Sequence, residues 1–189
     1  MRKITYILFA IALCACNKPA SNDSVAHDVA LSPNSDNSAV LAEWNNKTAD
    51  VALMRIFHHE SFNTICLPFA LSEEQVKCTF GKDCAIRQLS EADLSGETPV
   101  IHFEPQSAME AGVPYLIKPA KTISDPVFHK VLIVDVLHPV TVGDLTFIGV
   151  FSPTAVSEEA LLLGPDNTLH PAASGTLDAT KAYFTKNEK

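Results

Sequence analysis

The 189-residue chain has little of what most chemistry needs. It holds one tryptophan, three tyrosines and seven glycines, with 14 basic against 22 acidic residues. No phosphate-cradling glycine loop occurs, and no G-x-S-x-G nucleophile elbow, so neither P-loop phosphoryl transfer nor an α/β-hydrolase mechanism is indicated. The formal charge of −8 becomes −10 when Arg2 and Lys3 are taken from the 14 basic residues with the leader. An acidic surface without a basic stripe repels phosphate backbones, which argues against nucleic acid as a partner. No apolar run reaches the roughly 20 residues of a membrane-spanning helix. Apolar content of 47% is nonetheless ample for a core and argues against global disorder.

What is present begins with a targeting segment at residues 1–15. Arg2 and Lys3 make a positive start, and Ile4 to Leu13 an apolar stretch too short to span a bilayer. It ends Leu13-Cys14-Ala15-Cys16, which resembles a bacterial lipobox. The resemblance implies cleavage before Cys16 and a diacylglyceryl group on its sulfur, anchoring the chain without spanning. An ordinary secretory signal cleaved nearby is the alternative. Residues 16–46 read as a flexible tether rich in Ser, Asn, Asp and Ala, with a short helical turn near residues 39–46. Residues 47–186 read as one folded domain.

Period-two patterning dominates that domain. Val51, Leu53 and Arg55 share one face of a first strand. The central stretch, Phe62-Asn63-Thr64-Ile65-Cys66-Leu67-Pro68-Phe69, alternates Ile65, Leu67 and Phe69 with Thr64, Cys66 and Pro68. Cys66 behaves as an apolar residue, so both faces are expected to be covered; Pro68 ends the strand or places it at an edge or bulge. A matching stretch, Ala111-Gly112-Val113-Pro114-Tyr115-Leu116-Ile117-Lys118-Pro119, turns at Gly112 and Pro114 into a short strand. Between them Ser72 and Gln75 form the ends of a capping box, opening a short helix at 73–80 that stops at Gly81. Further strands are expected around a Ser95-Gly96 turn, at 126–137, at 145–151 after Val142-Gly143-Asp144, and in the last 30 residues around Gly164-Pro165-Asp166-Asn167. The expected fold is all-β, an antiparallel two-sheet β-sandwich or roll with one short helix.

The ordered set N-T-I-C-L-P-F (63–69), Phe80-Gly81, A-G-V-P-Y-L-I-K-P (111–119), F-I-G-V-F-S-P (147–153), L-L-L-G-P-D-N-T-L (161–169) and K-A-Y-F (181–184) resembles a β-rich module of secreted and surface lipoproteins from Bacteroidetes-type bacteria. Lys181 stands where that module carries arginine. The resemblance implies a surface or extracellular accessory domain and brings no activity and no functional residue with it.

Candidate sites follow from residue type. Mature Cys66, Cys78 and Cys84 are an odd set for an oxidising compartment. A bridge between Cys78 and Cys84 across Thr-Phe-Gly-Lys-Asp suits their spacing; Cys66–Cys78 and Cys66–Cys84 are the alternatives. No C-x2-C pair or H-x3-H spacing supports a metal, and no cofactor is indicated. His58-His59-Glu60 reads as a strand end at the surface. Glu73-Glu74 suits the opening turn of a helix, and Glu158-Glu159 a solvated turn. Glu104, Asp125 and Asp135 would have to meet across a cleft to serve a glycosidase. Trp44 is the candidate for an exposed sugar-stacking surface. The expectation is a non-enzymatic cell-surface or periplasmic lipoprotein, lipid-anchored in the cell envelope at the outer membrane, on its periplasmic or its exposed side. It would act as a binding or adhesion accessory module for a surface glycan or protein. A structural or assembly component of the envelope is the alternative, followed by a surface glycan hydrolase.

Overall fold

Strands dominate the computed structural model, which describes residues 26–95 and 100–187. Among these, sixteen strands and two short helices follow one another. The first half runs β1 (Val29–Leu31), α1 (Ser38–Trp44), β2 (Thr48–Leu53), β3 (Ile56–Phe57), β4 (Asn63–Cys66), α2 (Glu73–Phe80), β5 (Ala85–Asp93), β6 (Val100–Gln106) and β7 (Pro114–Lys118). The second runs β8 (Ile123–Ser124), β9 (Val127–Leu132), β10 (Val140–Val142), β11 (Leu145–Gly149), β12 (Thr154–Val156), β13 (Leu161–Leu163), β14 (Leu169–Pro171), β15 (Gly175–Leu177) and β16 (Ala182–Lys186). No described helix is long and apolar enough to cross a membrane.

The all-β expectation holds, with more division than a two-sheet sandwich. Strands are shared among five sheets: β1-β2-β9, β4-β7-β5-β6, β10-β11-β16-β13-β14, and the pairs β3-β8 and β12-β15. The sequence stretches singled out above find each other in two pairs. β4 lies antiparallel to β7, with Ile65 opposite Tyr115. β11 lies antiparallel to β16, with Phe147 opposite Phe184. Residues 64–69 are buried without a break, as expected for a strand covered on both faces, and β4 ends at Cys66, two residues before Pro68. The junction between the two pairs is tight. A Cβ at Gly149 would lie 2.2 Å from Cys66 Sγ, so only glycine fits there.

Helix α2 forms where its sequence dictates. Ser72 accepts from the Gln75 backbone and the Gln75 side chain returns to the Ser72 N–H, a complete capping box. Glu73 and Glu74 occupy the first turn, favoured by the helix dipole, and Glu73 pairs with Lys77 one turn on. Val76 and Phe80 are its buried face. Gly81 stops it at φ +94°, donating back to Lys77 O.

The domain begins earlier than the boundary at residue 47. Residues 29–44 are not tether: β1 pairs parallel with β2, Val29 opposite Val51, and Val29, Leu31 and Leu41 are fully buried. A parallel pair needs a crossover, and α1 lies within it. Asn37 fixes this segment. Its amide Nδ2 donates to Ser32 O at 3.0 Å and Phe151 O at 2.8 Å, its Oδ1 accepts from Ser32 N, and its backbone N–H donates to Ser152 Oγ. Asn37→Ala would leave the buried Phe151 carbonyl and the half-buried Ser32 groups without these partners. The expected loss is about 2–3 kcal/mol, with limited proteolysis opening the segment ahead of β2 first.

The residues at 1–15, the acceptor Cys16 and the first part of the tether lie outside the described residues, as does Gly96 of the expected Ser95-Gly96 turn.

Candidate functional site

The most unusual side chain in the core is Arg55. It follows β2, in phase with Val51 and Leu53, and is only 8% exposed. Its guanidinium donates to Thr180 O at 2.8 Å and Thr64 O at 2.7 Å, and lies 4.6 Å from the centre of the Phe57 ring. These contacts join three segments distant in sequence. Thr180 O also accepts from Cys66 N, while Thr64 Oγ1 accepts from Ala182 N at 3.1 Å. Thr180 holds φ +58°, a left-handed conformation that a β-branched residue adopts only where its surroundings enforce it. Burial lowers the Arg55 pKa to about 10, opposed by the charge of Asp178. The arginine therefore remains a cation at neutral pH. Among the described residues it has no carboxylate within ion-pair distance; Asp178 is bound to Lys181 Nζ at 2.6 Å.

Arg55 lines a cavity of about 250 Å3, with Ser61, Asn63, Thr64, Gly164, Lys181 and several apolar side chains completing the wall. A second hollow of about 430 Å3 adjoins it, sharing Phe62 and Leu163. Phe103, Ile101, Leu116 and Leu169 make the second hollow apolar, and Arg87 stands over the Phe62 ring at 5.9 Å. Together they form one groove between the β4-β7-β5-β6 sheet, on the face that packs against the five-stranded sheet, and the β13–β14 hairpin.

The hairpin turn is held in shape by its own polar groups. Asp166 accepts from Thr168 Oγ1 at 2.7 Å and lies 3.0 Å from His170 Nε2. Asn167, at φ +62°, accepts the Phe62 N–H through Oδ1 at 2.8 Å. Both Thr168 and Asp166 meet the same imidazole nitrogen, so the three do not make a proton relay, which uses opposite nitrogens of the ring. The bonds from His170 and then Thr168 hold the Asp166 carboxyl well below the usual carboxylate range. A depressed carboxyl stabilises the fold above its unfolded pKa of about 3.9 and ceases to do so as pH falls through the lower, folded value. An acid titration followed by amide NMR is therefore expected to leave Gly164, Thr168 and His170 in place at pH 4 and release them only below that. In Asp166→Asn the turn should be loosened already at pH 7.

The bridge between Cys78 and Cys84 is not formed: Cys66 and Cys84 are free thiols, which also removes a Cys66–Cys84 pair. Cys78 lies on α2 between the buried Val76 and Phe80 and forms a disulfide with neither Cys66 nor Cys84, whereas Cys84 turns inward against the core. Burial pushes both the Cys66 and Cys84 thiols up to about 12, away from nucleophilic use. Glu104 on β6, Asp125 after β8 and Asp135 beyond β9 are exposed, and no hydrogen bond or ion pair joins them. His59 pairs at the surface with Glu60 and Thr122. Trp44 is half-buried, its ring packed partly against the core with Lys47 at 5.9 Å. No group of three or more His, Cys, Asp or Glu among the described residues is placed to hold a metal ion.

Sequence reasoning passed over the residues that line the groove. Arg55 was visible as a charge in phase with apolar strand positions, and Lys181 as a departure from the module pattern. Phe62 sat one residue outside the strand. No family model, curated protein or solved structure matches the chain.

Proposed function

We propose that this chain is a non-enzymatic lipoprotein of the cell envelope whose β-domain is a binding or adhesion accessory module. In this reading its ligand occupies the groove between the β4-β7-β5-β6 sheet and the β13–β14 hairpin. One observation carries it: two adjoining hollows share Phe62 and Leu163, and both include a cationic side chain beside apolar wall. Concave sites of this kind, mostly apolar with a few placed polar groups, are where ligands bind. The reactive groups that would argue for chemistry instead, activated thiols or converging carboxylates, are not gathered in it.

The test uses the full-length protein from its native membrane on arrays of surface glycans and peptides. Phe62→Ala and Leu163→Glu should abolish retention of whatever binds, with the circular dichroism spectrum unchanged. Ligands retained equally by both variants would place binding elsewhere. The anchor is checked by intact mass: cleavage before Cys16 with an added diacyl or triacyl group is expected. A cleaved chain without acyl mass would make it a secreted protein.

A further inference from the structure

From the geometry we infer that the Arg55 end of the groove is a seat for a carboxylate, and that the ligand is a small ring-bearing acid. The carboxylate would lie between Arg55 and Lys181, with the ring toward Phe62. This names the ligand class of the binding-module reading and rests on it.

Three observations converge. First, a buried guanidinium without a carboxylate partner is expensive to desolvate, and a fixed anion is what usually compensates it. Here two N–H groups meet carbonyl oxygens, out of the five a guanidinium carries. Second, the local charge is unbalanced. Arg55 and Lys181 carry two positive charges at the cavity and Asp178 one negative, so one anionic charge is missing, although the protein as a whole is acidic. Third, the cation is held rigidly: the Thr64 carbonyl on β4 and the Thr180 carbonyl in the turn before β16 fix it from two sides, and the Phe57 ring lies against it. A guanidinium already in place loses little side-chain freedom on binding and suits planar carboxylate recognition. A cavity of about 250 Å3 admits one ring, not a chain. Ser61 in its wall offers a hydroxyl, whereas the Asn63 amide is already bonded to backbone groups of His58, Ser61 and Ile117; the second hollow beyond Phe62 is apolar.

Binding of glucuronate and of benzoate, with glucose and benzamide as uncharged counterparts, would be followed by NMR on the full-length protein. Either acid should shift the amides of Thr64, Ala182 and Gly164 saturably, and its neutral counterpart should not. Glucuronate alone points to an acidic sugar as the source, benzoate alone to an aromatic acid. Lys181→Ala should weaken binding about 2–5-fold, the range of a half-exposed ion pair. Arg55→Gln should weaken it at least tenfold. Because Arg55 also ties the core, Asp178→Asn is the decisive variant. Removing the competing carboxylate should tighten acid binding several-fold, an outcome that a purely structural Arg55 would not produce. The inference is overturned if neither acid binds, if acid and neutral counterpart bind alike, or if Asp178→Asn leaves affinity unchanged. A neutral ligand that binds the groove while both acids fail would overturn the carboxylate seat and leave the binding module standing.

Discussion

Replacing Phe184 with alanine is expected to cost about 3–5 kcal/mol of folding stability. Phe184 is fully buried on β16. Its ring stacks on Phe147 of β11 at 4.1 Å between centroids and 2° between planes, and Phe103 of β6 meets both rings edge-on at 6.1 and 6.4 Å. The cluster is therefore the contact through which the five-stranded sheet packs on the β5–β6 hairpin. Removing one ring loses its transfer free energy, leaves a cavity that the facing strands cannot close, and ends the ring pairing, itself worth about 0.5–1.5 kcal/mol. Urea unfolding checks the size. Phe184→Leu should cost clearly less, and the Phe147→Ala/Phe184→Ala pair less than the sum of its members, because neighbours in contact are not additive. A loss below about 1 kcal/mol for Phe184→Ala would mean that the β10-β11-β16-β13-β14 sheet does not pack as described.

Gly112→Ala should be comparably severe, for another reason. Gly112 sits at φ +72°, and a Cβ built there would be 2.0 Å from Val136 O. The obstacle is backbone, so no side-chain rotation relieves it. Gly112 also donates to Leu67 O at 2.8 Å and accepts from His138 N at 2.9 Å, which pins it between the end of the central stretch and the segment after β9. The left-handed conformation costs an alanine about 1–2 kcal/mol and the overlap about 1–3 kcal/mol more. A total near 3 kcal/mol is expected, read from the urea midpoint. Gly175→Ala is the control: its nearest neighbour would be Ala173 O at 3.6 Å, with no positive φ, so its change should stay within about 1 kcal/mol.

How much of this was legible depends on how local the cause is. The capping box at Ser72 and Gln75 and the stop at Gly81 need only their own neighbours, and α2 lies where the sequence places it. Period two correctly marks strands such as β4, β5, β7 and β11. It carries no information on which strand pairs with which, so the division into five sheets was out of reach. β1 escaped because three residues among Ser, Asn and Asp give no periodicity; its strand exists through a parallel pairing with residues 22 positions away. Arg55 shows the limit for the site. Its inward phase was readable, but its partners lie 9 and 125 residues away, and the cavity they border is made by the β13–β14 hairpin folding over Phe62.

The docking of β1 and Asn37 onto the domain would also limit reach, were the chain anchored at Cys16 as proposed. On the lipoprotein reading, twelve residues of sequence and not thirty separate the acyl group on Cys16 from Val29, where the first described strand begins. Twelve residues fully drawn out reach about 43 Å at most, against roughly 100 Å for thirty. On that same reading, a domain held that closely would work within the layer next to the bilayer surface. It would meet partners that lie in or against the same membrane, and would have too little reach to search the space beyond it.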